Sequence, residues 1–115
     1  YLYVSYLLNR CYEQIWEVSK QILVLDGNVV LDLGFTTKEQ RDVFVNRAKE
    51  LGINAEIHYL DAPKDIRKKR IKKRNLEKDP SVYAFEVTDM IFNFKATKFE
   101  VPSQEELKHG CTVNA

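Results

Sequence analysis

Hydrophobic and polar positions change period along the chain, and these changes predict helices that alternate with strands. In residues 8–25 the apolar positions recur every three or four residues, as on one face of a helix, and Asp26-Gly27 marks its end. Residues 29–31 are apolar and β-branched without alternation, which is typical of a strand covered on both faces. Residues 53–60 alternate in part, which predicts a second strand covered mainly on one face.

Capping signals predict three more helices. Thr37 and Gln40 have capping-box spacing at the start of one helix, and Gly52 stands where a left-handed cap would end it. Pro63 is suited to the first turn of the next helix, and Thr88 begins the last one. The inner faces expected for the second and fourth helices are Phe44, Ala48 and Leu51, and Phe92, Ala96 and Phe99.

The order helix, strand, helix, strand, helix is that of a parallel α/β sheet with right-handed crossovers. Two strands of the buried type do not make a stable sheet alone, and the chain begins at Tyr1 inside a predicted helix rather than with Met. We therefore expect the fold to be α/β, part of a parallel sheet with flanking helices, whose N-terminal strands are absent. The predicted domain covers residues 1–108, and residues 109–115 form a tail that frays.

Composition narrows the class of protein. The 115 residues suit a single domain, and 44% hydrophobic with 30% charged residues is a globular mixture. No apolar run approaches the roughly 20 residues that span a bilayer, so we predict no membrane partner and a cytoplasmic protein. Cys11 and Cys111 match no zinc or redox spacing, so no metal ligands are predicted; we expect a buried Cys11 and a free Cys111.

Charge is concentrated in the third predicted helix. Residues 64–74 contain eight Lys or Arg and one Asp, a net charge of +7, whereas the whole chain carries +1. Arg70 and Arg74 are four residues apart, so they share a helix face and can reach one ligand together. Two guanidinium groups suit the oxygens of a phosphoryl group in transfer. The alternative is a solvated basic helix, although the few apolar residues of this helix favour a mobile segment such as a lid.

Two acidic residues are further candidates. Asp32 ends the first predicted strand, where ligands gather in open α/β sheets, and its carboxylate could hold a magnesium-bound water or fix the turn that follows. Glu100 precedes a Val-Pro step, and we expect it to cap a helix or form a salt bridge within the fold. The neighbouring residues 104–106 are expected to be solvated.

Several motifs follow one another in a fixed order: VVLDLGF, Arg41 on the next helix, IHYLDAP, Arg70-x-x-x-Arg74-Asn75, Phe85-x-Val87-Thr88 and Phe99-Glu100-x-Pro102. From about Tyr6 to Glu106 this series resembles the C-terminal two-thirds of a P-loop kinase-like ATP-binding protein of the AAA type. Its relatives are polynucleotide kinase, zeta toxin and chloramphenicol phosphotransferase. The resemblance implies a parallel sheet of about five strands, a lid at about 64–86 that closes over ATP and Mg²⁺, and a structural role for Arg41, tying its helix to the sheet.

The sequence departs from that family in lacking the phosphate loop G-x-x-x-x-G-K-[ST]. We therefore interpret the chain as a fragment of an ATP-dependent phosphotransferase, inactive alone, with an unidentified phosphate-accepting substrate. Arg70 and Arg74 would be catalytic and, with Asp32, would bind the nucleotide. Two alternatives stay open: a nucleic-acid-binding module that uses the basic helix, and a non-catalytic interaction protein that self-associates through an exposed sheet edge.

Overall fold

The computed structural model describes residues 2–115. Its elements are α1 (Leu2–Leu23), α2 (Lys38–Glu50), β1 (His58–Asp61), α3 (Lys64–Glu77), α4 (Asp89–Lys98) and β2 (Cys111–Asn114). They fall into two compact units, the first ending at Phe35 and the second spanning Thr36–Ala115. Every helix in the described range is too short or too polar to span a lipid bilayer.

The first unit is dominated by α1, which confirms the predicted helix but not its buried face. Trp16 and Ser19 are buried, and Ser19 donates its hydroxyl hydrogen bond to the carbonyl of Ile15. Most of the predicted inner stripe is instead exposed, namely Leu8, Cys11, Val18, Ile22 and Leu25. Spacing identifies a stripe, but tertiary contacts decide which stripe is covered. Both cysteines are free and exposed, so the expectation of a buried Cys11 was wrong.

The end of α1 shows why Asp26-Gly27 stops it. Asp26 adopts the left-handed conformation at φ 62°, and the Gly27 amide donates to the carbonyl of Ile22 at 3.0 Å. A Cβ on Gly27 would lie 2.5 Å from the Ile22 side chain, so only glycine fits this close approach. The pair forms a Schellman-type cap in which the left-handed residue is the aspartate.

The predicted strand at residues 29–32 is not formed. Residues 27–36 contain no helix or strand, and Val30 is 95% exposed. A β-branched apolar run becomes a strand only when a neighbour satisfies its amides and carbonyls, and none of the described residues forms a ladder with it. The strand prediction for this segment, and with it the placement of Asp32 at a strand end, was therefore wrong.

The second unit contains a two-stranded parallel sheet. Its register pairs His58 with Cys111 and Asp61 with Asn114, and the chain between the strands crosses over through α3 and α4. The parallel α/β class is confirmed, but the second predicted strand is shorter than residues 53–60. The expected frayed tail was wrong, because its residues 111–114 pair with β1 along their whole length.

Helix α2 forms as its capping signals predict. The Thr37 hydroxyl accepts from the Gln40 amide, and the Gln40 side chain accepts from the Thr37 amide, which completes the capping box. Gly52 has φ 73° and ends the helix. Glu100 adds to the cap, since its carboxylate accepts from the amide of Lys38 at 3.2 Å. The expected capping role of Glu100 is thus confirmed.

A buried ion pair holds α2 to the segment before β2. Arg41 donates from Nε to Glu106 Oε1 at 2.8 Å and from Nη2 to Oε2 at 3.5 Å. Their side chains are only 4% and 7% exposed. The hydrogen bond from Arg41 holds the pKa of Glu106 below its ordinary value. Glu106 was expected to be solvated, which was wrong, and the structural role of Arg41 is to bind this carboxylate.

Candidate functional site

Helix α3 carries the basic residues and is only loosely embedded. Pro63 occupies the N-cap position without a side-chain hydrogen bond. Asp65 lies in the first turn, where a carboxylate interacts favourably with the positive end of the helix dipole. The helix ends at Lys78, which is left-handed at φ 52° and donates its amide to the carbonyl of Arg74. None of the residues 64–77, all of which the structure describes, is buried. This lack of burial fits the low apolar content of α3, and its role as a mobile lid stays a prediction.

Helix α4 supplies the apolar surface that faces α3. The Thr88 hydroxyl accepts from the Ile91 amide at 3.3 Å, which caps the helix at the predicted residue. Phe92 is buried, and the guanidinium of Arg67 lies 5.8 Å from the centre of its ring. That distance is within the range of a cation–π contact. The fourth helix therefore begins where predicted and packs through the predicted Phe92.

A groove of about 710 Å³ runs between these two helices. Its apolar lining comes from Ile71, Val82, Phe92, Ala96 and Phe99, and its charged lining from Arg67, Arg70, Lys73, Arg74, Lys95 and Glu77. Thr36 completes it. Among the described residues that line the groove, the cations far outnumber the one carboxylate, so the groove suits an anion.

The structure places the two predicted arginines together on this groove. Arg70 donates from Nη2 to the carbonyl of Ala115 at 3.2 Å, which leaves other guanidinium hydrogens available. Within the described residues, the Arg74 side chain makes no hydrogen bond or ion pair. Both side chains are exposed rather than buried. Their shared position agrees with the four-residue spacing, and their catalytic role stays a prediction.

The other cations of the groove were not singled out from the sequence. Arg67 donates from Nε to the carbonyl of Ala62, which orients its guanidinium over Phe92. Lys73 lies 3.8 Å from Glu77, so the carboxylate of the groove partly screens one of its cations. Lys95 comes from α4. Position in the basic run could have identified Arg67 and Lys73, but Lys95 required the packing of α4.

Asp32 lies in the irregular segment of the first unit and is exposed, whereas all the residues that line the groove belong to the second unit. In residues 2–115, no group of three His, Cys, Asp or Glu is placed to hold a metal ion. The cations of the groove suit an anionic ligand, whereas the described residues offer no group of acidic, histidine or cysteine side chains for a metal ion.

An asparagine clamp that sequence reasoning missed joins α3 to the start of α4. Asn75 donates from Nδ2 to the carbonyl of Val87 at 2.8 Å and accepts from the Val87 amide at 3.1 Å. The side chain thus pairs with a backbone as a neighbouring strand would. The only signal was the placement of Asn75 and Val87 within the ordered motifs, which gave no reason for the pairing.

Comparison with known proteins identifies the family. A family model described as an AAA domain matches residues 3–97. A search of curated proteins and a search of solved structures each found no match. The family match covers most of the sequence and includes both helices that form the groove. This chain therefore belongs to the P-loop kinase-like AAA domain family, whose members are ATP-binding proteins.

Proposed function

We propose that this chain is the part of an ATP-dependent phosphotransferase that covers the phosphates of ATP, and that the basic groove is its phosphate-binding surface. The observation that carries the proposal is the position of Arg70 and Arg74, which extend from one helix into one groove. Membership in a nucleotide-binding family supports ATP as the ligand. The other groove cations would add to the attraction without being tied to the reacting phosphate.

In this proposal Arg70 and Arg74 neutralise the charge that spreads over the oxygens of the phosphoryl group during transfer. Planar guanidinium groups suit this role, since each can donate two parallel hydrogen bonds to a phosphate. Arg74 has its donors available within the described residues, and Arg70 would exchange its bond to the Ala115 carbonyl for the ligand. When bound with ATP, Mg²⁺ would further neutralise the phosphates.

The phosphate loop has no counterpart in the sequence. We propose that the loop, and the acid that activates the acceptor hydroxyl, lie on residues outside these 115. On that basis the 115 residues alone bind polyphosphate weakly and transfer no phosphate. The fold does not identify the acceptor, because one fold serves both small molecules and nucleic-acid ends as substrates.

The decisive experiment is Arg74→Ala in the complete protein, with ATP-dependent phosphoryl transfer as the readout. An arginine that stabilises the transferring phosphoryl group contributes roughly 10³- to 10⁵-fold to the rate, so we expect a loss of at least about 10³-fold. Lys69→Ala is the matched control, because it removes one charge from the same helix at a position outside the groove. A rate within about twofold of wild type for Arg74→Ala contradicts the role.

Binding can be measured separately by calorimetry with ATP and tripolyphosphate. Hydrogen bonds to charged groups contribute about 1.5–3 kcal/mol, so Arg70→Ala and Arg74→Ala are each expected to weaken binding about tenfold or more. Lys69→Ala should change the affinity by less than about twofold. Equal losses for all three variants would indicate attraction to the net charge of the helix rather than binding in the groove.

A second candidate function is supported by the lysines that lie outside the groove. Lys64, Lys69 and Lys72 are exposed and do not line it, so α3 also presents a basic outer surface. Such a surface suits the phosphates of a nucleic acid. Titration with duplex DNA would then show log affinity falling by about 0.9 per phosphate neutralised against log salt. In that case Lys69→Ala, not Arg74→Ala, should reduce the slope most.

A further inference from the structure

The groove depends on how a segment without regular structure is held. Residues 78–88 join α3 to α4 and contain neither helix nor strand. Val82 from this segment lines the groove, and Phe92 and Lys95 from the following helix form its far wall. The position of the far wall opposite the arginines therefore depends in part on how the end of this segment is held against α3.

The strongest attachment is the pair of hydrogen bonds between Asn75 and Val87. The Asn75 side-chain amide donates to the Val87 carbonyl at 2.8 Å and accepts from the Val87 backbone amide at 3.1 Å. Both polar groups of the side chain and both of the backbone residue are therefore paired. Both bonds are partly buried, which shields them from competition with water. The ion pair between Lys68 and Asp89 crosses the same gap but is weaker, since it is 3.9 Å long and largely exposed.

The clamp also has a position that links it directly to the site. Asn75 follows Arg74 in α3, and Val87 precedes Thr88, the residue that caps α4. The Asn75 side chain therefore joins the turn of α3 that contains Arg74 to the start of α4. Helix α4 in turn contains Lys95. Loss of the clamp would free the start of α4, and with it Lys95, without removing any cation of the groove.

We propose that Asn75 is a positioning residue of the phosphate-binding groove, which holds the α4 wall opposite the arginines of α3. This inference rests on the proposed function, because it states that Asn75 fixes the width of the proposed anion site. Asn75 contacts no ligand in this arrangement and acts only through Val87. Its effect is therefore on the affinity and salt dependence of binding, beyond any effect on stability.

The test uses Asn75→Leu in the full chain, since leucine has nearly the same shape but forms neither hydrogen bond. The probe is tripolyphosphate, measured by calorimetry well below the unfolding temperature. We expect affinity to fall about fivefold, with a shallower dependence on salt, because a groove that keeps its binding-competent width for only about a fifth of the time binds that much more weakly. Asn93→Leu is the matched control, because Asn93 is exposed on α4 and outside the groove.

Hydrogen exchange at the Val87 amide gives a second measurement. The amide should be protected in wild type and should exchange rapidly in Asn75→Leu, with α3 unchanged. If Asn75→Leu does not fold, Asn75→Ala removes the same two hydrogen bonds without placing a larger apolar side chain there, and the same loss of affinity is expected. Wild-type affinity in a folded Asn75→Leu protein, or unchanged protection of Val87, overturns the proposal.

The two proposals fail in different ways. If wild type does not bind tripolyphosphate, the proposed function fails, and exchange at Val87 alone then decides the clamp. In that case, loss of protection at Val87 and in the first turn of α4 would still support the positioning of α4 by Asn75. If wild type binds and Asn75→Leu binds equally well, the proposed function stands and Asn75 has no positioning role.

Discussion

Helices α2 and α3 of the second unit use arginine in opposite ways. In α2, Arg41 is 4% exposed and both ends of its guanidinium are occupied by one buried carboxylate. In α3, Arg70 and Arg74 are exposed and face a groove whose described lining residues include a single acid. A guanidinium that is desolvated and fully paired serves the fold, whereas one that keeps free donors in a groove can serve a ligand.

The two helices also differ in how their ends are secured. α2 has a complete capping box at Thr37 and an additional carboxylate from Glu100 on its first turn. Across the described residues 63–77, α3 has neither a side-chain cap nor a buried residue. Local stability within a protein follows such differences, and segments that move on ligand binding come from the less stable end. The contrast teaches that α2 is held more firmly than α3 by its cap and by its buried residues.

Arg41→Ala tests most directly whether the buried arginine of α2 stabilises the fold more than the exposed arginines of α3 do. Removing one partner of a buried pair leaves the other as an uncompensated buried charge, which costs about 3–5 kcal/mol of the free energy of unfolding. Arg70→Ala serves as the control, and we expect a cost below about 1 kcal/mol because its side chain is exposed. Urea unfolding of both variants provides the measurement. Similar costs for both variants would show that the division between the two arginines is wrong.

The pH dependence of the free energy of unfolding tests the same ion pair through the ionisation of Glu106. Because Arg41 lowers the pKa of Glu106 in the folded state, its stabilising contribution is present above the ordinary pKa of 4.5. That contribution is lost as the pH falls through the folded-state pKa. Wild type should therefore exceed Glu106→Gln in free energy of unfolding at about pH 7, and the difference should shrink below about pH 4.5. A difference that stays constant from about pH 7 to about pH 3 would contradict the paired state.

The cap of α2 gives a smaller effect. Thr37→Ala removes the hydroxyl that accepts from the Gln40 amide, and the loss of such a cap costs about 1 kcal/mol. Thr97→Ala is a useful control, because Thr97 is an exposed threonine within α4 that bonds to a carbonyl of its own helix. Thermal unfolding monitored by circular dichroism would compare them. Equal melting temperatures for Thr37→Ala and wild type would show that α2 does not depend on its cap.

Sequence reasoning succeeded where the signal is local. Three helix ends show this: the cap at Thr37, the glycine end at Gly52 and the cap at Thr88. Each depends on residues within one or two helical turns, so the local sequence is sufficient to predict it. The shared face of Arg70 and Arg74 follows from helix geometry in the same way. Signals of this short range are sufficient to place α2, the start of α4 and the arginine pair.

Sequence reasoning failed where the partner is distant. Arg41 and Glu106 are 65 residues apart, and no periodicity connects them. Residues 111–114 form a strand only because β1 offers a parallel edge, whereas the more strand-like residues 29–31 have no ladder partner in the described part of the chain. The clamp of Asn75 was missed for the same reason, because its partner is a backbone group rather than a side chain with a recognisable pattern.

The smallest effect is expected from the acidic residue Glu77 in the groove beside α3. Among the described lining residues of the groove, Glu77 is the only acid and lies 3.8 Å from Lys73, so it competes with any bound anion for the same cations. An exposed ion pair contributes at most about 1 kcal/mol, which predicts that Glu77→Gln tightens tripolyphosphate binding by up to about fivefold. Glu86→Gln is the matched control, because Glu86 is an exposed acid that does not line this groove. If both variants bind equally more tightly, only the net charge of the protein matters; if Glu77→Gln alone does, the anion lies among the cations that Glu77 faces.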